Sequence, residues 1–293
     1  MDKGLQNKNS FHLAGVIPVA GQKLDFNLPW HDSLQPIGKD YLAVERAVWE
    51  CAWAGCETVW IVCHGDMQPL IRYRLGDYVC DPIYDENNRF SGIEKQIPIY
   101  YVPVHPKDRD RRDCLGWSVL YGALTAHWLS RTISKWVVPD KFYVSFPYGI
   151  YDPEIVRAHR NIISSKNPFF VSFDDKTIKD NKYLGFTFDA EDFKACRKIV
   201  RKEGTGISIG YKQGQLPVEK RWSARFFKLD KIFKPVKIDS AGILEAPWYY
   251  NIDSWSGLCN FLGSEECTAL KRPKKSLLGY HEWNPIGIDN EEK

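Results

Sequence analysis

The stretch GVIPVAGQKLDFNLPWHDSLQPIGKDYLAVERAVWECAWAGCETVWIVC, residues 15–63, decides the fold. It predicts an apolar strand at Val16–Val19 that ends at the small pair Ala20-Gly21. After a loop, an amphipathic helix is predicted at Tyr41–Ala54 and a second apolar strand at Val59–Cys63. A strand, a helix and a strand in this order form a βαβ unit, which requires a parallel sheet. The loop after the first strand of such a sheet is a common place for ligands to bind.

The rest of the chain continues the alternation of strands and helices to about residue 210, which predicts an α/β fold. Further strands are predicted at Ile97–Val104, Lys141–Phe146, Phe169–Phe173 and Thr205–Tyr211. Further helices are predicted at Gln68–Leu75, Cys114–Lys135, Asp152–Ser164, Asp189–Lys202 and Ser254–Leu262. We therefore expect a three-layer sandwich with a mostly parallel central sheet and an irregular C-terminal extension. Residues 1–262 would form the α/β domain and residues 263–293 a tail that is either loose or laid over another surface.

The composition is that of a globular protein, with 44% hydrophobic and 26% charged residues. A formal net charge of +3 is too weak to indicate a nucleic-acid partner. The eight cysteines include no C-x-x-C pair, and the first residues, MDKGLQNKNSF, contain no apolar segment. These features predict reduced thiols, no zinc site and a cytoplasmic location. No apolar run approaches the ~20 residues of a membrane helix, so no membrane partner is expected.

Four stretches together carry a resemblance to a known family. They are residues 15–62, LGWSVLYGALTAHWLS at 115–130, DKFYVSFPYGIYDPEIVRAHRNII at 140–163 and WYYNIDSWSGLCNFL at 248–262. In this order they resemble the sugar-phosphate nucleotidyltransferases, whose fold is the GT-A type of α/β sandwich. The resemblance implies a loop that holds a triphosphate, a glycine that admits the base, and two metal-binding aspartates.

The resemblance assigns roles to residues of this chain. If the protein is active, Lys23 and Asp253 would be catalytic, with Lys23 on phosphate and Asp253 on Mg²⁺, the implied cofactor. The turn Ala20-Gly21 would lie at the phosphates, and the glycine before the long helix, Gly116, would admit the base. Arg112, in the run DRDRRD at 108–113, would add a positive charge for a phosphate.

Each of these residues also has a structural interpretation. Lys23 and the DRDRRD run could be solvated loop, and Gly116 could be a glycine at a helix start. Asp253 could cap the helix that begins near Ser254.

The sequence departs from the family at positions that matter for the chemistry. The family loop is rich in glycine and carries a Thr-Arg pair, whereas here Gln22 and Lys23 follow Ala20-Gly21. Asp32 lies where the family has a phosphate-binding lysine, and would repel a triphosphate. The first metal-binding aspartate falls at Tyr148 or Gly149, and neither offers a carboxylate to Mg²⁺. We therefore expect a divergent active site.

Two classes of function follow from these observations. The first is a nucleotidyltransferase-like protein that handles a nucleotide, sugar phosphate or nucleotide sugar, with Mg²⁺-dependent transfer if the site is active. The second is a structural or binding protein that kept the fold and lost the chemistry. Its 11 tryptophans and 15 tyrosines suit an assembly through aromatic-rich surfaces, including a viral particle, which would place it in a virion. The sequence does not decide between these classes.

Overall fold

A computed structural model of the chain describes residues 11–21, 31–87, 94–109, 112–133, 138–207, 228–238 and 242–273. The predicted phosphate residue Lys23 lies outside the described residues, as does the tail from residue 274 onward. The described strands are β1 Leu13–Pro18, β2 Pro36–Gly38, β3 Tyr41–Leu42, β4 Thr58–Cys63, β5 Tyr78–Cys80, β6 Gln96–Pro103, β7 Lys141–Val144, β8 Gly149–Tyr151, β9 Phe170–Ser172, β10 Phe186–Asp189, β11 Ile243–Glu245 and β12 Tyr249–Asn251.

Helices connect most of these strands. The described α-helices are α1 Ala43–Ala54, α2 Gln68–Leu75, α3 Pro82–Asn87, α4 Pro106–Arg109, α5 Leu115–Ile133, α6 Pro153–Ala158, α7 Arg160–Ile163, α8 Ala190–Ile207, α9 Leu229–Ile232, α10 Trp255–Leu262 and α11 Glu265–Ala269. Two short 3-10 turns occur at Asp32–Leu34 and Ile178–Asp180.

Eight strands form one mixed sheet in the order β11-β9-β10-β7-β1-β4-β6-β5. Its centre is parallel, because β1 pairs in parallel with β4 on one side and with β7 on the other, and β4 pairs in parallel with β6. The antiparallel strands are β10, between β7 and β9, and β5 at the edge. The expected α/β class with a mostly parallel central sheet is therefore confirmed.

Helices cover both faces of the sheet, which makes three layers. Along β1, Leu13 and Ile17 belong to the core beneath α1, whereas Ala14 and Val16 belong to the core beneath α5. Successive side chains of a strand point to opposite faces, so a strand covered on both sides must be apolar throughout. This is why the strands of the βαβ unit could be recognised as continuous apolar runs.

Several predicted boundaries were wrong. The strand predicted at Thr205–Tyr211 is contradicted at residues 205–207, which belong to α8, and its remainder lies outside the described residues. Gly204 therefore lies within α8. A single glycine costs a helix only about 1 kcal/mol, which is too little to end one that is already formed. The helix predicted at Asp152–Ser164 is divided into α6 and α7 at His159.

Candidate functional site

The topological switch point of the sheet lies between β1 and β7. From β1 the chain adds β4 and β6 on one side, and then returns to place β7 on the other side. Ligands of open α/β sheets bind outside the carboxyl ends of the strands where the order reverses in this way. The residues that follow the two strands there, Val19–Gly21 after β1 and Ser145–Tyr148 after β7, form what we call the switch-point edge.

Tyr148 lies at the centre of the switch-point edge. Its ring is fully buried, and its hydroxyl donates a hydrogen bond to the Val19 carbonyl over 3.0 Å. The ring packs edge-to-face against the Tyr183 ring, with the two ring centres 5.6 Å apart. The next residue, Gly149, packs against the carbonyl of Tyr183 so closely that a Cβ atom would collide with it. Neither position therefore offers a carboxylate, and an aspartate at position 149 would not fit this backbone.

Asp253 is brought to the same edge by the pairing of β8 with β12. Asn251 pairs with Gly149, and the Ile252 amide donates to the Tyr148 carbonyl over 2.9 Å. The half-buried carboxylate of Asp253 accepts a hydrogen bond from the Tyr183 hydroxyl over 3.2 Å. The alternative that Asp253 caps the next helix is wrong, because the hydroxyl of Ser254 caps α10 by accepting from the Gly257 amide.

Asp32 is a buried carboxylate beside this group. Its side chain is 1% exposed, and its Oδ1 atom accepts a hydrogen bond from the Ser33 amide over 2.9 Å. The other oxygen, Oδ2, is buried and has no hydrogen-bond partner among the described residues. Burial is the main cause that raises the pKa of Asp32 to about 7, and the nearby charge of Asp253 contributes to this rise while the Ser33 amide opposes it. The same two carboxylates also act on the buried Tyr148 phenol and help to raise its pKa.

His31 does not balance the charge of Asp32. Its Nδ1 atom lies 3.1 Å from Asp32 Oδ1, but it also accepts a hydrogen bond from the Ser33 amide over 3.3 Å. Burial is the main cause that lowers the pKa of His31 to about 4, with His64 contributing to the shift and Asp66 opposing it. The imidazole is therefore neutral at pH 7 and acts as the cap of the 3-10 turn.

The turn after β1 packs against the start of α5. The Ala20 amide donates to the Val62 carbonyl over 2.9 Å, and the Ala20 carbonyl accepts from the Ser118 hydroxyl over 2.7 Å. Gly21 has a φ of +84° and lies against the backbone of Cys114, which leaves no room for a side chain. The predicted phosphate turn is thus fixed within the fold, and the amide of Ala20 is already used there.

Arg112 and Gly116 lie at the same helix start. The Arg112 guanidinium stacks 4.6 Å from the centre of the Trp117 ring, and its Nε atom lies 3.5 Å from Asp108 Oδ1. Burial, Arg201 and, to a lesser extent, the charge of Arg112 lower the pKa of Arg197 on α8. Gly116 admits the side chain of Ile232 from α9, where a Cβ atom would collide with it.

The structure thus brings most of the predicted site residues to one edge in two groups. In the first group, Gly21 lies against Cys114 and Ala20 bonds to Ser118, while Arg112 and Gly116 are each two residues from Cys114 in the chain. In the second group, Asp253 bonds to Tyr183, whose ring packs against Tyr148, and Tyr148 bonds to the Val19 carbonyl. The sequence gives no sign of a site role for Tyr183, and it suggests only a repulsive charge for Asp32. An aspartate in a segment between a strand and a helix carries no signal of burial, so the sequence could not reveal its unpaired oxygen.

The residues present fit a hard divalent cation in part. Within the described ranges, no group of three or more His, Cys, Asp or Glu side chains is placed to hold a metal ion. The resemblance places the first metal-binding aspartate at Tyr148 or Gly149, and neither residue offers a carboxylate to Mg²⁺. The Asp253 carboxylate and the unpartnered Oδ2 of Asp32 do fit, because Mg²⁺ prefers carboxylate oxygens. Asp253 and Asp32 would hold Mg²⁺, which when bound would offset negative charge on a phosphate.

A cleft of about 1090 Å³ lies elsewhere on the molecule. It is lined by Trp53 at the end of α1, by Asp152 and Arg157 beside α6, and by Trp248 and Arg272 from the C-terminal part. The end of α1 lies beside the amino ends of the strands, so this cleft is separate from the switch-point edge.

Among the described helices, none is both long and apolar enough to cross a membrane.

Comparison with known proteins gives structural likeness only. No family model matches the chain, and no curated protein matches its sequence. Among solved structures, a protein assigned as a glucose-1-phosphate thymidylyltransferase from Bacillus anthracis, in complex with a sucrose, is 10% identical, with a TM-score of 0.48 over 89% of this chain and 98% of that chain. A UDP-glucose pyrophosphorylase complexed with UDP-glucose is 13% identical, with a TM-score of 0.48 over 86% and 97%. Rv0371c from Mycobacterium tuberculosis H37Rv is 13% identical, with the same TM-score over 87% and 100%. At these values the likeness does not establish a family for this chain.

Proposed function

We propose that the switch-point edge binds a nucleotide or a nucleotide sugar, at a site whose chemistry has diverged from Mg²⁺-assisted nucleotidyl transfer. The observation that carries this proposal is the reversal of strand order between β1 and β7. The Ala20-Gly21 turn and the start of α5 lie at the carboxyl ends of these strands, and the pairing of β8 with β12 brings Asp253 to the same edge. This is the part of an open α/β sheet where a ligand is expected.

The charges around the start of α5 suit a phosphate group. Arg112 carries a guanidinium that is 30% exposed on its side chain and stacks on Trp117, so it is held in place and still reachable by a ligand. The amino end of α5, a helix of 19 residues, adds a partial positive charge beside it. Arginine binds phosphate through two parallel hydrogen bonds, which favours a phosphorylated ligand over an uncharged sugar.

Isothermal titration calorimetry with nucleoside triphosphates and nucleotide sugars, with and without Mg²⁺, tests this proposal. We expect binding of at least one of these ligands, and a loss of affinity of about tenfold or more in Arg112→Ala, because a charge-assisted pair contributes about 1.4 kcal/mol or more. Arg131→Ala is the matched control, since Arg131 is exposed at the opposite end of α5. Absence of binding to every nucleotide, or equal affinity in Arg112→Ala, would contradict the proposal.

A second candidate is a binding or structural protein without catalysis. It is favoured by two observations. Neither Tyr148 nor Gly149, where the resemblance would place a metal-binding aspartate, offers a carboxylate, and the Ile232 side chain fills the space beside Gly116. A location in a virion or in the cytoplasm stays a prediction under either candidate. Light scattering and a nucleotidyl-transfer assay on one sample separate the two. A stable assembly without turnover supports the second candidate, whereas turnover by a monomer contradicts it.

A further inference from the structure

We propose that Asp32 and Asp253 together bind a divalent cation, with Asp32 taking over the ligand position that Tyr148 cannot fill. This site deepens the proposed function and rests on it for the identity of the phosphate ligand that would share the cation. The cation itself can be tested without any nucleotide. The proposal is specific to this chain, because Asp32 comes from the segment after β1 and not from the segment after β7.

The environment of Asp32 is the first feature that favours a bound cation. A carboxylate that is 1% exposed with one oxygen unpaired is costly to keep in a folded protein unless an ion or a proton reaches it. The groups next to it are already used, because the Ser33 amide donates to Oδ1 and the His31 ring accepts from the same amide. The Oδ2 atom therefore remains without a protein donor among the described residues.

The second step is that Asp253 brings another negative charge to the same place. Its Oδ2 atom accepts from the Tyr183 hydroxyl over 3.2 Å, which fixes the side chain. The Tyr148 hydroxyl, whose pKa both carboxylates affect, donates to the Val19 carbonyl. Two neighbouring carboxylates repel each other, and a cation between them relieves this repulsion.

The third step concerns the kind of cation. Both groups offer carboxylate oxygens, which suit Mg²⁺, Mn²⁺ or Ca²⁺ better than a softer metal. No third acidic or histidine ligand completes the set within the described part of the chain. A site with two carboxylates would leave its other positions to water and to ligand oxygens, as is usual for Mg²⁺ bound with phosphates.

Titration with Mn²⁺, followed by the electron paramagnetic resonance signal of the free ion in the absence of nucleotide, tests the site. We expect one Mn²⁺ per wild-type chain, and a loss of affinity of about tenfold or more in both Asp32→Asn and Asp253→Asn, since even outer-shell changes cost that much. Asp66→Asn is the matched control, because Asp66 is exposed on the same side of the sheet and acts electrostatically on His31. Its affinity should stay within about threefold of the wild type, since it changes charge but no ligand.

Each outcome decides the proposal. Mn²⁺ binding that is absent from the wild type, unchanged in Asp32→Asn, or equally weakened in Asp66→Asn overturns it. Circular dichroism of each variant shows whether the fold is kept, and the half-exposed Asp253 carries the test if Asp32→Asn does not fold. Nucleotide binding in chelator without Mn²⁺ binding would overturn the cation site and leave the proposed function. Mn²⁺ binding without any nucleotide binding would leave the cation site and overturn the proposed function.

Discussion

Glu50 and Asp32 are two carboxylates that are buried to the same degree, each 1% exposed, in very different surroundings. Glu50, on α1, uses both oxygens. Arg46 donates to Oε2 over 2.6 Å, and the hydroxyls of Tyr143 and Tyr151 donate to Oε1 over 2.7 and 2.5 Å. Asp32, at the switch-point edge, has a donor on one oxygen only.

This difference in hydrogen-bond partners distinguishes a buried charge that stabilises the fold from a buried charge that is available to bind a ligand. A buried ion is tolerated in a stable protein when its partners replace the water that it has lost. Glu50 meets this condition, and its partner Arg46 also donates to the Phe146 carbonyl over 2.9 Å, which holds the chain just before Tyr148. Asp32 does not meet it, and perturbed, unpaired carboxylates of this kind are characteristic of functional sites.

The largest effect that the comparison predicts is for Glu50→Ala. Removing this carboxylate leaves Arg46 as a buried, unpaired cation and two tyrosine hydroxyls without an acceptor. We expect the free energy of unfolding in urea to fall by about 3–5 kcal/mol. Tyr151→Phe, which removes one of the donors, should cost about 1 kcal/mol. A loss in Glu50→Ala no larger than that of the control would mean that the network does not stabilise the fold.

Lys141 is a buried charge with partial compensation and allows a test by pH. Its ammonium donates to the carbonyls of Ser165 and Asn167 over 2.6 and 2.7 Å, and burial lowers its pKa from 10.5 to about 8. Between these two values the unfolded chain binds the proton more tightly, so the free energy of unfolding should rise from pH 8 to 10.5. This stabilisation is complete above pH 10.5, and it is lost as the pH falls from 10.5 through 8.

The expected change over this range is about 3 kcal/mol, from the size of the pKa shift. Urea unfolding of the wild type and of Lys141→Met at several pH values isolates it, because the variant has no proton to release at this position. The difference in the free energy of unfolding between the wild type and Lys141→Met should increase with pH by this amount. Parallel pH profiles would show that the Lys141 charge costs nothing in the folded state.

A smaller effect is expected where the switch-point edge meets α9. Gly116→Ala places a Cβ atom on the Ile232 side chain and should cost about 1–3 kcal/mol by overpacking. Ile232→Val alone removes one methyl and should cost about 1 kcal/mol. The double variant should be more stable than the sum of the single losses, because the two residues touch. Additive losses in a thermodynamic cycle from urea unfolding would contradict this contact.

The sequence predicted the frame of the fold well and the site only in outline. The βαβ unit was recognisable because strands covered on both faces are apolar without interruption. The antiparallel β10 was missed, since its four residues, FTFD, are too short for a periodic signal. The resemblance singled out Asp253, which lies beside Tyr183 at this edge, and its role as a metal ligand stays a prediction. The unpaired oxygen of Asp32 depends on the burial of a loop residue, which no local pattern of residues encodes.

The most direct test of the comparison is a pair of isosteric changes, Glu50→Gln and Asp32→Asn, measured by urea unfolding at pH 8 in chelator. Each removes one negative charge and keeps the size of the side chain. We predict opposite signs. Glu50→Gln should lose about 1–3 kcal/mol because Arg46 loses its charged partner, and Asp32→Asn should gain about 1–2 kcal/mol because an unpaired charge is removed from the interior. A comparable loss in Asp32→Asn would mean that this carboxylate is paired in the folded protein, and would contradict the account.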